Sequence, residues 1–200
     1  MPIPKLVIAS ANPDKVAEIA IVLEGLAVLI PRPEGMPDVI EDGDDLEDNA
    51  RLKAVAVCEF AGKPSVADDT GLEIDALDGA PGVHSARFAG TDATYQQNVE
   101  KVLTDLDGFQ TGQRTARFKT VAIVRYPDGR ELIANGTVEG HIAQSPSGEG
   151  GFGYDPIFVP AEGDGTTFAQ MGEEKHRFSH RGRAFRNLGY MLGSNEKISY

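Results

Sequence analysis

Two adjacent carboxylates, Asp68 and Asp69, stand between an apolar segment and a segment in which apolar and acidic residues alternate. The pattern predicts a strand that ends near Ala67, a turn, and a second strand over Leu72–Leu77. Neighbouring residues of an extended chain point to opposite faces, so we expect one aspartate to project into a cleft and the other to hold the turn. Paired acids at a strand end suit Mg²⁺, which takes oxygen ligands and keeps waters for phosphate substrates. A turn whose side chains satisfy their own backbone is the structural alternative.

A loop that could hold phosphate follows the first apolar segment and has the sequence Ser10-Ala11-Asn12-Pro13-Asp14-Lys15. Asn12 is predicted to cap a helix that starts at Pro13. The free N–H groups and the dipole at such a helix start favour an anion. Lys15 in the first turn opposes that dipole, which supports a ligand-binding role. A capped helix with a solvated lysine is the alternative.

Glu41 is the candidate second metal ligand in an acidic stretch between Asp38 and Asp48. Most of these acids complement the dipole of a helix over Leu46–Ala61, for which Asp44 or Asp45 is the predicted N-cap. Glu41 precedes that helix and needs another explanation.

A glycine-rich loop spans 147–156. Its four glycines allow the backbone to approach a ligand closely, and Phe152 and Tyr154 offer aromatic faces to a planar base. A tight connection before a strand at Ile157–Val159 would also explain the glycines.

A basic segment begins at Lys175, and within it Ser179 is the predicted N-cap of a final helix. His180 and Arg181 would then stand at the helix start, where cations are unfavourable unless an anion or an acceptor-rich ligand faces them. A solvated basic face is the alternative.

Hydrophobic periodicity defines the elements that must position these residues. It predicts strands at Lys5–Ala9 and Ala27–Ile30, a helix capped by Asp92, and a β-hairpin formed by Ala116–Tyr126 and Arg130–Val138. A hairpin is antiparallel, so the sheet is mixed and the fold is not a purely parallel doubly wound one.

Composition limits the classes of function. The chain has 200 residues, 19 Lys+Arg and 31 Asp+Glu, for a formal charge of −12. That charge argues against a general nucleic-acid binder. Cys58 is the only cysteine, which excludes an internal disulfide and favours a reducing compartment. With no signal-peptide pattern and no apolar run long enough for a membrane span, we expect a cytoplasmic protein. A chain of 200 residues is compatible with one large domain or two small lobes, and we expect one domain over 1–200.

Five motifs in one order resemble those of the inosine/xanthosine triphosphate pyrophosphatases, over nearly the whole chain. They are Ser10-x-Asn12-x-x-Lys15, Ala67-Asp68-Asp69-Thr70-Gly71-Leu72, Gly79-Ala80-Pro81-Gly82-Val83-x-Ser85-Ala86-Arg87, Gly151-Phe152-Gly153-Tyr154-Asp155-Pro156 and Ser179-His180-Arg181-Gly182-x-Ala184.

The resemblance implies an elongated α/β fold of two lobes around a long, twisted, mixed sheet with flanking helices, with the active site in the cleft between the lobes. It implies a homodimer that uses Mg²⁺ to hydrolyse dITP, ITP and XTP to the monophosphate and pyrophosphate, and so cleanses the nucleotide pool of deaminated purines.

The resemblance also implies roles for individual residues. Asp69 would be the catalytic carboxylate and a Mg²⁺ ligand, with Glu41 as the second ligand, although Glu41-Asp42-Gly43 departs from the Glu-Glu-Thr-Gly of some relatives. Thr70 stands where many relatives have Ser. The substrate-binding residues would be Ser10, Ala11, Asn12, Pro13, Asp14 and Lys15 at the phosphates, Thr70 at the nucleotide, Phe152, Gly153, Tyr154 and Asp155 at the base and sugar, and Lys175, His180 and Arg181 near the purine 6-oxo group.

Three other functions stay open. A pyrophosphatase of the same fold could prefer another modified base. A haloacid-dehalogenase-like phosphatase also uses paired aspartates, but its Asp-x-Asp-x-Thr signature has a spacer that Asp68-Asp69-Thr70 lacks. A non-catalytic nucleotide-binding protein would keep the pocket without turnover.

Overall fold

A mixed sheet of seven strands is formed within residues 3–195, which are the residues that the computed structural model describes. The strand order is β2-β1-β3-β5-β6-β7, and β4 pairs with β3 outside this path. β1 is parallel to β2 and β3, whereas β4 is antiparallel to β3 and β7 is antiparallel to β6. The strands are β1 Lys5–Ile8, β2 Val28–Ile30, β3 Ser65–Ile74, β4 Pro81–Gly82, β5 Thr115–Arg125, β6 Glu131–Ile142 and β7 Phe158–Pro160. The predicted mixed α/β fold is confirmed.

The α-helices begin where the sequence supplies side-chain caps. Asn12 accepts hydrogen bonds from the first turn of α1, Asp45 accepts one from the N–H of Asp48 in α2, and Gly62 ends α2 with a φ of 61°. Asn12 and Asp45 are among the caps predicted from the sequence. The α-helices of the described residues are α1 Pro13–Val22, α2 Leu46–Ala61, α3 Tyr95–Asp105, α4 Lys175–Phe178 and α5 His180–Asn195.

The described chain divides into two compact units. Unit 1 consists of residues 3–69, 120–136 and 181–195, and unit 2 consists of residues 70–119 and 137–180. The prediction of a single domain over 1–200 stays a prediction, and the first two and last five positions of that range lie outside the described residues.

In unit 1, helices cover both faces of the sheet. Alternate residues of β1, β3 and β5 enter two different apolar clusters, as the pleat of a strand requires. Leu6, Ile8, Val66, Ala122 and Val124 pack with α1 and α5. On the other face Val7, Ala9, Ala67 and Ile123 pack with Ala50, Ala54 and Val57 of α2.

In unit 2, one apolar cluster joins α3 to the strands and contains the rings of Phe118, Phe158 and Phe168. The guanidinium of buried Arg114 donates to the carbonyls of Leu106 and Phe109, just after α3, and to that of Ala143.

Two sequence-based predictions about local structure are wrong. Asp68 to Gly71 do not form a turn, because β3 runs without interruption from Ser65 to Ile74 and a 3-10 helix follows at Asp75–Leu77. Both aspartates are paired with buried cations, so they do not need a turn backbone as a partner. The cap of α3 is Thr94 rather than Asp92, because Thr94 forms a reciprocal capping box with Gln97.

The predicted strands, hairpin and final helix are present with somewhat different ends, whereas β4 and α4 were not predicted. The hairpin of β5 and β6 closes with a hydrogen bond from the N–H of Tyr126 to the carbonyl of Arg130, and α5 begins directly after Ser179. Within residues 3–195, none of the helices combines the length and the apolar character needed to cross a membrane.

Candidate active site

The two neighbouring carboxylates of β3 meet different helices of unit 1. Asp68 is two residues beyond Val66 and therefore points to the face covered by α1 and α5, where it contacts Lys15 and Arg181. Asp69 is two residues beyond Ala67 and points to the face covered by α2, where it contacts Lys53. Both side chains are buried. The expectation that the two side chains point to opposite faces is confirmed, whereas neither of them holds a turn.

Asp68 belongs to a buried cluster of alternating charges. Arg181 Nε donates to Asp68 Oδ2 at 3.2 Å, and Arg181 Nη1 donates to Glu18 Oε2 at 2.5 Å. Lys15 Nζ lies 3.6 Å from Asp68 Oδ2. Burial alone would raise the pKa of Asp68, but the charges of Lys15, Arg181 and Lys53 outweigh it and hold the pKa well below its usual range. Asp68 is therefore ionised and held in place.

Asp69 has a different electrostatic environment. Lys53 Nζ donates to Asp69 Oδ1 at 3.0 Å and to Glu41 Oε2 at 2.8 Å, so one ammonium joins both predicted metal ligands. Burial raises the pKa of Asp69; the charges of Lys53 and Lys15 oppose that rise, the negative charge of Glu41 adds to it, and the pKa stays above its usual value. Its carboxylate is the less stabilised of the two and the better proton acceptor.

Glu41 and Asp69 are the two predicted magnesium ligands of this cluster. Within residues 3–195 there is no cluster of three or more His, Cys, Asp and Glu side chains arranged as a metal site. Glu41 and Asp69 nevertheless converge on a single positive charge, that of Lys53. Mg²⁺ is commonly bound through one or two carboxylates together with waters and substrate phosphates, so this pair of oxygen donors fits it.

The loop before α1 is ordered by Asn12. Its side-chain oxygen accepts hydrogen bonds from the N–H groups of Asp14 at 2.9 Å and Lys15 at 3.2 Å, and its own N–H donates to Ser10 Oγ at 3.2 Å. Because two N–H groups of the helix start are engaged in this way, the side chain of Lys15 is the stronger candidate for binding phosphate. Burial is the largest cause that lowers the pKa of Lys15, with Lys53 and Arg181 adding to it and Asp68 opposing it.

Unit 2 brings together Phe152, Asp155 and Lys175 from the predicted base-binding set. Asp155 Oδ2 accepts hydrogen bonds from the N–H of Phe152 at 2.8 Å and from Lys175 Nζ at 2.5 Å. Lys175 Nζ lies 5.0 Å from the centroid of the Phe152 ring, within the range of a cation–π interaction. These three residues form an ordered polar and aromatic group.

The other predicted residues of unit 2 have different surroundings. Tyr154 lies in the apolar core, donates its hydroxyl to the carbonyl of Ser85 at 2.8 Å, and has a pKa raised by burial. His180 stacks on Phe118 with a centroid distance of 4.3 Å. Thr70 is half-buried within β3, directly after Asp69 in the chain.

The sequence-based interpretation missed Lys53 and Glu18. Lys53 occupies a position of the apolar stripe of α2, three residues after Ala50 and four before Val57. Glu18 stands beside Ile19 and is buried in α1. A charged residue at an apolar helical position signals a buried ion pair, and that signal could have identified Lys53.

The chain is similar in sequence to a known protein family over nearly its whole length. A family model described as the Ham1 family matches residues 6–190. A dITP/XTP pyrophosphatase from Bacillus subtilis is 44% identical over 189 residues, which cover 93% of this chain and 96% of that protein. A dITP/XTP pyrophosphatase from Desulforamulus reducens is 46% identical over 192 residues, which cover 94% of this chain and 95% of that protein.

Solved structures agree with the sequence comparison. A HAM1 protein from Coxiella burnetii superposes with a TM-score of 0.86 at 38% identity, covering 96% of this chain and 100% of that one. A nucleoside-triphosphatase, also named dITP/XTP pyrophosphatase, from Mycobacterium abscessus has a TM-score of 0.73 at 41% identity. The match covers 94% of this chain and 99% of that one.

Proposed function

Because this chain belongs to the Ham1 family, we propose that it hydrolyses dITP, ITP and XTP to the nucleoside monophosphate and pyrophosphate, and so removes deaminated purines from the nucleotide pool. The observation that carries the proposal is the similarity to proteins named dITP/XTP pyrophosphatase across more than nine tenths of the chain. The buried charges around Asp69 are consistent with hydrolysis of an acid anhydride.

In this reaction, Asp69 orients the attacking water toward the α-phosphorus and accepts its proton. Lys15 donates to phosphate oxygens and stabilises the charge that develops on the transferring and leaving groups. Lys53 holds the Asp69 carboxylate in one orientation through its 3.0 Å contact.

Magnesium is part of the proposal. Glu41 and Asp69, whose carboxylates both contact the Lys53 ammonium, would hold it. When bound, Mg²⁺ neutralises phosphate charge and lowers the pKa of a coordinated water.

Selectivity for deaminated purines depends on the 6-oxo group, which accepts hydrogen bonds where the 6-amino group of adenine donates them. We assign Lys175 and His180 as donors near that group and Phe152 as the ring on which the base stacks. A donor that faces adenine would lose its acceptor, and such a mismatch lowers kcat/KM by up to about 10⁴–10⁵-fold. Arg181 belongs to the same predicted set and is buried like Lys175 and His180, and its guanidinium contacts Asp68 and Glu18. A contribution to the binding of substrate stays a prediction for Arg181.

Product analysis tests the proposal. The purified protein would be incubated with Mg²⁺ and separately with dITP, XTP, GTP, ATP and dUTP, with Asp69→Asn as the matched control. Pyrophosphate and monophosphate formed mainly from dITP and XTP, and lost in the variant, are the expected result. Orthophosphate as the product would indicate a stepwise phosphatase instead, and binding without turnover would indicate a nucleotide sensor.

Two further properties belong to the proposal. We propose a homodimer, from the resemblance stated above, and a cytoplasmic location, from the single cysteine and the lack of a signal-peptide pattern in the sequence. Light scattering at several protein concentrations would test the first, since a monomeric mass throughout would contradict it. Fractionation of cells that express the natural gene would test the second.

A further inference from the structure

The backbone of Phe152 is held by a hydrogen bond, but the residues on either side of it are glycines, which have no side chain to contact its ring. Its N–H donates to Asp155 Oδ2 at 2.8 Å, and Asp155 is itself held by Lys175. A Cβ at Gly151 would overlap the Asp155 carboxylate, so this close approach requires glycine there. Glycines stand on both sides of Phe152, and the orientation of its half-buried ring must therefore come from elsewhere.

The ring of Phe152 contacts Tyr95, a residue for which the mechanism above has no role. The two centroids are 5.7 Å apart and the ring planes are tilted by 43°. That distance lies within the range of favourable aromatic pairs, which contribute beyond the area that they bury. Lys175 Nζ approaches the same ring at 5.0 Å, so the Phe152 ring has an aromatic and a cationic neighbour.

Tyr95 is presented from a rigid position. It is the first residue of α3 and follows the capping box in which Thr94 and Gln97 exchange hydrogen bonds of 2.8 Å and 3.2 Å. Val99 and Val102 anchor α3 in the core of unit 2. The side chain of Tyr95 is nevertheless 42% exposed, so the core does not require a large ring at this position.

We propose that Tyr95 is a positioning residue that sets the orientation of the Phe152 ring against the purine base of the substrate. The proposal rests on the proposed function and adds to it a residue that none of the five sequence motifs contains. A base binds to an aromatic platform most strongly when the ring is already oriented, because no rotational freedom is then lost on binding. Loss of Tyr95 therefore weakens contacts to the base and leaves contacts to the phosphates unchanged.

The test compares Tyr95→Ala and Tyr95→Phe with wild type. For Tyr95→Ala we expect KM for dITP and the dissociation constant of dIMP to rise about 2- to 10-fold, the range that corresponds to one aromatic pair, with kcat within about twofold of wild type. Tyr95→Phe retains the ring, so its KM for dITP and its dissociation constant for dIMP should equal those of wild type. The inhibition constant of pyrophosphate should not change, because pyrophosphate has no base.

Tyr190→Ala is the matched control, since Tyr190 is a 71% exposed ring of unit 1. Thermal melting of each variant would check folding. Unchanged dIMP binding in Tyr95→Ala would overturn the proposal, as would equal weakening of pyrophosphate or a failure of Tyr95→Phe to restore binding. If the wild-type protein does not turn over dITP, the proposed function fails, whereas the dIMP titration still decides the role of Tyr95.

Discussion

The two faces of β3 in unit 1 place neighbouring aspartates in opposite electrostatic situations. Asp68 contacts Lys15 and Arg181, and these charges keep its pKa low despite burial. Asp69 shares the single ammonium of Lys53 with Glu41, and its pKa is raised by burial. A step of one residue along a strand therefore separates a carboxylate that is fully compensated from one that is not. We expect the first to stabilise the fold, and the proposed function assigns the second to the chemistry.

The largest expected effect follows from removing the charge of Asp69. Asp69→Asn should lower kcat for dITP by about 10²- to 10⁴-fold, the usual contribution of a general base. Lys53 keeps its 2.8 Å contact with Glu41, so we expect little change in the free energy of unfolding. Steady-state kinetics and a denaturant titration would measure both. Retained turnover would remove Asp69 from the chemistry.

For Asp68→Asn, in contrast to Asp69→Asn, we expect the main effect on the free energy of unfolding. It leaves the buried Arg181 and the half-buried Lys15 without one of their anionic partners, and breaking a buried pair such as Arg181 with Asp68 costs about 3–5 kcal/mol. The urea midpoint of unfolding should fall accordingly. If Asp68→Asn were as stable as Asp69→Asn, the charges around Asp68 would not stabilise the fold more than those around Asp69.

Glu18→Gln should have an intermediate effect, because Arg181 keeps Asp68 as a charged partner at 3.2 Å. The lost charged hydrogen bond predicts about 1.5–3 kcal/mol of destabilisation. A double-mutant cycle with Asp68→Asn would show a coupling energy if the three side chains act as one cluster. Strict additivity would indicate two independent ion pairs.

The smallest effect is expected on the surface of unit 2. Lys119 Nζ lies 2.8 Å from Glu73 Oε2, and both side chains are partly exposed to solvent. Exposed pairs contribute about 0.2–1 kcal/mol, so Lys119→Ala should shift the unfolding midpoint only slightly, and less so at high salt. If Lys119→Ala lost as much stability as Asp68→Asn, exposure to solvent would not explain why the two ion pairs differ in their contribution.

Local signals in the sequence were sufficient for much of the fold. Asn12 and Asp45 identified the starts of two helices, and hydrophobic periodicity identified the hairpin. The error at Asp68 to Gly71 has a physical cause. Polar residues in a row resemble a turn, and only the partners Lys53 and Arg181, distant in the chain, make a buried strand acceptable there.

The candidate site could be predicted in part. The motifs pointed to Asp69, Glu41 and Lys15, which lie in or beside the buried charge clusters of unit 1. Lys53 was missed because its partners depend on tertiary packing. The ring contact of Tyr95 also could not be predicted, since 57 positions of the sequence separate it from Phe152.

The uninterrupted course of β3 has a consequence for the timing of catalysis. A carboxylate on a loop must be ordered again in each cycle, and loop closure on the microsecond to millisecond scale can then limit the rate. Asp68 and Asp69 are carried by β3, which has β1 and β5 as neighbours in the sheet, and the pairing with β1 at Ser65 and Val66 lies just before them. The spacing of the two charges should therefore persist from one turnover to the next.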